Sequence, residues 1–275
     1  MQSGKKVVVI LNDRIESLNA LYFVTKLFTD HKNLIDIVYM NDHFVMDHSS
    51  KSNLQIMKPT EIESEEVRTG LIMFLLRLEE QSHAKATLHK QVGSNTEELT
   101  WRCQFADLLV TTASGYRSLT KAGMEEKPLL ETPKGSSPFI IVPENFRDID
   151  NILIAYGAKG NNINAIKQFC YLFGEMCSHY DVNLLQVFSE GNNPFQLKEE
   201  RLFVEYLKQH CSRLAIHKYI GGESVELLQN YISYSHKTLV VSNSSLLDTL
   251  NGLLGSNAFS STEYDVSSTQ FISHV

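Results

Sequence analysis

Asn12, Asp13 and Glu16 stand close together just after a short apolar run, and oxygens grouped this way could hold a divalent cation with a phosphate. A capping cluster at the start of a helix explains the same residues. His43 and Asp47 are spaced to share one helix face, from which His48 turns away. No second cluster completes a metal's ligand set, and a solvated loop accounts for all three. The acidic run Glu61, Glu63, Glu65 and Glu66 is most simply the first turn of a helix, where carboxylates meet the positive end of the dipole. Trp101 and Tyr116 lie on either side of one apolar run; Tyr116, beside Gly115, could stack on a base, and packing against a neighbouring domain is the simpler use. There is no Ser/His/Asp arrangement with supporting context, no glycine loop followed by a lysine and no spaced Cys/His pattern, so catalysis has little support.

The four cysteines, Cys103, Cys170, Cys177 and Cys211, contain no C-x-x-C pair. Cys170 and Cys177 fall two turns apart on one expected helix, about 10 Å at ~1.5 Å per residue, too far to bridge each other. Reduced, mostly structural thiols are the reading, which suits a cytoplasmic protein. The net charge of −7 argues against nonspecific binding to nucleic acid or to an anionic membrane, while leaving room for a nucleotide held by a local nest of backbone donors. No segment approaches the roughly 18 to 20 consecutive apolar residues of a membrane span. The start of the chain leads directly into a strand-length run with no small-residue cleavage site, so the cytoplasm is the expected compartment.

The elements that would position these residues are written twice. Val7 to Asp13 opens the first half and Asn151 to Gly157 restarts the same apolar run. Ala106 to Thr112 is matched by Lys237 to Ser242, and Phe139 to Val142 by Phe271 to His274. Three blocks recurring in one order indicate a tandem duplication, with the second copy shorter between them. A chain of 275 residues fits two domains, 1–144 and 150–275, each long enough to bury a core. In the first, strands are expected at Val7–Leu11, Leu34–Met40, Ala86–Val92, Leu108–Thr112 and Pro138–Val142, with helices over 17–29, 61–81 and 96–104. In the second, strands at Ile152–Tyr156, Val182–Phe188, Leu214–Ile220, Leu239–Ser242 and Gln270–His274 alternate with helices over 162–179, 194–210, 224–235 and 246–254. This alternation implies βαβ crossovers and a parallel sheet in each copy. Ligands of such sheets bind beyond the carboxyl ends of the strands, at the switch point of strand order.

With these blocks on the page, the chain resembles the universal stress protein family in a tandem two-domain form. The likeness is carried by the strand-one starts, by Ala106 to Val110, by Pro138 to Glu144 and by Leu253-Leu254-Gly255-Ser256. It implies an α/β fold of two flavodoxin-like (adenine nucleotide alpha hydrolase-like) open parallel sheets flanked by helices. It also implies an intramolecular pseudo-dimer through the fifth strands, with Pro143 to Asp150 as the linker and a further homodimer open.

One branch of that family binds ATP through an aspartate ending strand one and a loop resembling Gly-x2-Gly-x9-Gly-Ser after strand four. Glycines there let backbone N–H groups approach phosphate oxygens, and the helix N-terminus adds positive charge, while the carboxylate holds a ribose hydroxyl or an adenine edge. Each copy matches a different part. Asp13 takes the aspartate position in the first, where Gly115 keeps the second glycine and Glu125 stands where the pattern wants glycine. In the second copy Gly157 replaces the aspartate, Ser242 and Ser245 replace the first two glycines, and Gly255-Ser256 matches the end. Asp13 reads equally as a turn residue, Gly255 as a helix C-terminal glycine, and Ser242 to Ser245 as caps for the next helix. Val38 and Val187, on the adenine side of strand two, are apolar as any core would make them. The expectation is a stress-associated, non-enzymatic protein with degenerate nucleotide sites, acting through an unknown protein partner or a small ligand. The alternative is an ATP-binding switch using Ser242, Ser245, Gly255 and Ser256; slow ATP hydrolysis lacks a base.

Overall fold

Five residues in a row, Val7 to Leu11, are at most 1% exposed, as in a strand covered on both faces. The computed structural model describes residues 4–28, 32–40, 53–81, 85–92, 97–120, 137–157, 163–188, 194–220, 237–243 and 268–273. Its chain divides into two compact units, Met1–Asn145 and Phe146–Val275. The expected helices over 224–235 and 246–254, and His43, Asp47, His48, Glu125, Ser245, Gly255 and Ser256, lie outside the described residues.

The first unit contains β1 (Lys6–Leu11), α1 (Leu18–Leu27), β2 (Leu34–Tyr39), β3 (Asn53–Ile56), α2 (Glu65–Gln81), β4 (Lys85–Val92), α3 (Glu97–Gln104), β5 (Leu108–Thr112), α4 (Ala113–Thr120) and β6 (Phe139–Val142). Its strands run in the order β3-β4-β2-β1-β5-β6. All neighbours are parallel except β3, which adds antiparallel to β4. In register, Val9 lies between Ile37 and Val110 at the centre of the sheet. Helix α2 starts later than its acidic run suggests. Pro59–Glu61 forms a 3-10 turn, Ile62 turns extended and buries its side chain, and the Ser64 hydroxyl caps the Val67 N–H at 3.4 Å. Gly70 then lets α2 press on α1, because a Cβ there would come within 2.3 Å of Leu18 Cδ1.

The second unit contains β7 (Asn151–Gly157), α5 (Ile163–Leu172), α6 (Gly174–His179), β8 (Asp181–Phe188), α7 (Pro194–His210), β9 (Arg213–Ile220), β10 (Thr238–Asn243) and β11 (Thr269–Ser273). The order β11-β10-β7-β8-β9 is parallel throughout. In both units the strands of the parallel sheet therefore run third, second, first, fourth, fifth. The single helix expected over 162–179 is two. Phe173 leaves the helical region at φ −122, ψ 34, and its buried ring meets Phe169 at 5.0 Å and Phe271 at 6.0 Å. Aromatic contacts of about 0.5–1.5 kcal/mol each offset the interrupted helix. Cys170 and Cys177 therefore lie on two helices, one on each side of the break, and both are free, buried thiols, as Cys103 and Cys211 are.

Candidate functional site

The strand order of the first unit reverses between β1 and β5, so the residues just past their carboxyl ends are where a ligand of this fold would sit. Beyond β1 the chain turns sharply. Asn12, buried, accepts the Arg14 N–H at 3.1 Å through Oδ1 and the Ser17 hydroxyl at 3.1 Å through its main-chain oxygen. This Asx turn leads into the 3-10 turn Ile15–Ser17 and on to α1, so Asn12 and Glu16 serve the turn. Asp13 follows, and its carboxylate accepts a hydrogen bond from the Tyr39 hydroxyl at the end of β2. Tyr39 is 1% exposed, so its ring belongs to the core and only its hydroxyl reaches the strand ends.

Past β5 the sequence suggests the remnant of a loop; the structure has a helix. Thr112, last in β5, caps α4 by accepting the Gly115 N–H at 3.5 Å and sharing a hydrogen bond with Ser114 Oγ at 3.1 Å. The strand therefore enters α4 directly, and Gly115 sits in its first turn. A Cβ on Gly115 would come within 2.2 Å of Thr111 Oγ1, whose hydroxyl donates to Ile10 O at 3.2 Å and ties β5 to β1. Gly115 is thus where helix meets strand too closely for a side chain. Tyr116 is partly buried and packs edge-on against Phe139 at 5.4 Å in its own unit's core. Trp101 is 54% exposed on α3.

The site as built brings Asn12, Asp13 and Gly115 to the same strand ends with Tyr39, Thr111 and Thr112, and the sequence reading had not assigned the last three to it. The only signal for these three is positional, since they are the last polar groups of β2 and β5. Asn12 Nδ2 is buried there without a hydrogen-bond partner among the described residues. In the second unit Ser242 lies in β10 in register with Ile272, 1% exposed, and its Oγ has no partner among the described residues. Gly157 ends β7 opposite Val187.

A second polar group lies in the middle of β2, away from the strand ends. Asp36 is 3.6 Å from His89 Nε2, 3.6 Å from Lys6 Nζ and 3.3 Å from Arg102, which also pairs with Glu98 at 3.2 Å. His89 foremost, then the Lys6 and Arg102 charges, hold the Asp36 carboxyl below its ordinary value against the opposing effect of burial. The group braces α3 on the sheet. Among the described residues no group of three or more His, Cys, Asp or Glu is placed to hold a metal ion, and no helix is long and apolar enough to cross a membrane.

No family model matches this chain, and no curated protein does. Solved structures do. A universal stress protein from Archaeoglobus fulgidus DSM 4304 is 12% identical with a TM-score of 0.52, covering 98% of this chain and 96% of that one. A functionally unknown protein from Pseudomonas aeruginosa PAO1 is also 12% identical, with a TM-score of 0.51 over 98% and 92% of the two chains. The chain therefore has, along nearly its whole length, the α/β fold of a universal stress protein.

Proposed function

We propose that this chain is a stress-response-associated, non-enzymatic protein whose first unit does not hold a nucleotide, and which acts through protein contacts or a small ligand. The observation that carries this reading is the prior occupation of the strand-end groups. The Asp13 carboxylate takes the Tyr39 hydroxyl, the Gly115 N–H is capped by Thr112, and Gly115 lies against Thr111 Oγ1. A ribose would have to displace Tyr39, and a phosphate would have to open the first turn of α4. Among the described residues at the strand ends of that unit, no nucleophile is paired with a base, which is what hydrolysis would need.

A second reading is favoured by Ser242, whose buried hydroxyl lacks a partner among the described residues at the end of β10. On that reading the second unit is an ATP-binding switch using Ser242, Ser245, Gly255 and Ser256. The test is to denature freshly purified native protein, identify any released adenine nucleotide by mass and absorbance, and titrate the emptied protein with Mg-ATP by calorimetry. No nucleotide and no saturable heat is the expected result. Saturable heat abolished by Gly255→Asp and untouched by Asp13→Asn would overturn the main reading in favour of the second.

A further inference from the structure

The two units treat the third strand of their parallel sheets differently. In the first, that strand is β4, and β3 covers its outer edge, Asn53–Ile56 pairing antiparallel with His89–Val92. Its counterpart in the second unit is β9, which pairs with β8 along the whole of Arg213–Ile220 and is last in its unit's strand order. No strand among the described residues pairs the other edge of β9. The first unit draws β3 from residues 40–64, between β2 and α2. The second has only residues 189–193 between β8 and α7, too short a length for a turn and a returning strand. An open edge presents alternate N–H and C=O groups, and an extended chain can continue the ladder there. The side chains agree with an edge: Arg213, Ala215, His217 and Lys218 are exposed, and Ile216 is 36% exposed.

We propose that β9 is a docking edge for an extended acidic segment of a partner protein, added antiparallel as β3 is added to β4. This names a partner class for a protein that acts through protein contacts, and rests on that reading. Register divides β9 into two faces. Leu214, Ile216 and Lys218 stand beside Val182, Leu184 and Gln186, and the ion pair of Lys218 with Glu200 marks this as the face under α7. Arg213, Ala215 and His217 stand on the other face, where Arg213 pairs with Asp181 at 3.3 Å and the His217 ring lies 3.4 Å from Asn183 Oδ1. No carboxylate is written into β9, which makes it a local exception in a chain of net charge −7. Lys218 is engaged by the buried Glu200. The side chains of Arg213 and Asp181 are each 66% exposed, and a pair of that kind is weak, so the guanidinium can turn to an incoming carboxylate. An added strand with acidic side chains on the Arg213 and His217 face, and apolar ones beside Leu214 and Ile216, complements both faces. A second copy of β9 does not, since antiparallel self-pairing would put two sets of Arg213, His217 and Lys218 on one ladder with no carboxylate in either strand. The charges that guard this edge against its own copy thus select an acidic strand.

The experiment titrates a fluorescein-labelled, end-capped heptapeptide of alternating glutamate and valine with the native full chain and follows fluorescence anisotropy. Saturable binding is expected, and none for the peptide of alternating lysine and valine. Because an added strand pairs through every second N–H, methylating the amide nitrogens of one alternate set of peptide residues should abolish binding, while methylating the other set should leave it. Arg213→Glu combined with His217→Glu, both at exposed positions, should leave the circular dichroism unchanged, weaken the acidic peptide roughly tenfold or more and admit the basic one. In hydrogen exchange, alternate amides of residues 213–220 should exchange freely in the chain alone and slow when the peptide is bound. No saturable binding, equal loss from both methylated sets, or both sets of β9 amides protected without peptide, as a second copy seated there would give, would overturn the proposal. Peptide binding is followed without Mg-ATP, so a failed peptide leaves the nucleotide result standing, and saturable ATP heat leaves the peptide result standing.

Discussion

Replacing Gly115 with alanine separates the two uses a glycine can have after a strand: a backbone approach for a phosphate, or room for a helix. The added methyl would stand 2.2 Å from Thr111 Oγ1 and 3.6 Å from Thr111 Cβ. Thr111 is fully buried and its hydroxyl holds Ile10 O at 3.2 Å, so it cannot swing into solvent. Overpacking of this kind costs about 1–3 kcal/mol and the disturbed hydrogen bond about 1 more. Alanine's better helix propensity returns about 1 kcal/mol, leaving a net loss near 2. In a unit of this size that lowers Tm by about 4–8 °C, readable by circular dichroism, with urea melts giving the free energy. Thr111→Ala alone should also cost about 2 kcal/mol, through its hydrogen bond and a small cavity. The double variant should be no worse than Thr111→Ala, because the space the new methyl needs has been vacated. Strict additivity, or a Gly115→Ala chain as stable as the parent, would refute the packing role and return Gly115 to ligand-loop duty.

Tyr39→Phe should destabilise the chain by about 1–2 kcal/mol in urea melts, since a hydrogen bond to a carboxylate is lost, and a double-mutant cycle with Asp13→Asn should show coupling of about 1 kcal/mol. For Asp36, the folded carboxyl lies below its unfolded value, so its stabilisation is present above the unfolded pKa of about 3.9 and is lost as pH falls through the folded one. Asp36→Asn should therefore cost about 2 kcal/mol at neutral pH. The gap between parent and variant should narrow in acid below about pH 4, and equal urea midpoint differences at pH 7 and pH 3 would contradict it.

The sequence reading reached the fold because the central strands carry their burial in plain view. Val7 to Leu11 and Leu108 to Thr112 are runs that no half-exposed element could tolerate, and α7 announces its start with Pro194. It missed β3, because Asn53–Ile56 is short, lies at the edge of its unit's sheet and pairs antiparallel where every other cue was parallel. It missed α4 because Ala-Ser-Gly-Tyr-Arg-Ser is a poor helix by propensity, and the cap from Thr112 and the packing at Thr111 override that. The break at Phe173 was hidden for a similar reason, since its cause is contact with Phe271, nearly a hundred residues away in the chain. Asp13 was placed correctly at the strand end by its position after β1. Its partner Tyr39 comes from a different strand, and no local pattern tells that Tyr39 rather than a neighbour will reach it.

On the proposed reading, those internal partners limit what the first unit can bind. A ligand hydroxyl approaching Asp13 exchanges one hydrogen bond for another and strands the Tyr39 hydroxyl, which is buried and cannot turn to water. Leaving such a donor unsatisfied costs about 1–3 kcal/mol. A phosphate drawing on the Gly115 N–H must likewise break the Thr112 cap, worth about 1 kcal/mol. Together the two losses are about 2–4 kcal/mol, which weakens a nucleotide by roughly 30- to 1000-fold relative to a site whose donors stand open. A micromolar site would become one of about millimolar strength or slightly better. Tyr39 and Thr112 thus do to the pocket what a bound ligand would do, holding the ends of β1, β2 and β5 together. On the reading proposed above, the strand ends of the first unit keep their geometry without a ligand, because the contacts that stabilise them are made by the protein itself.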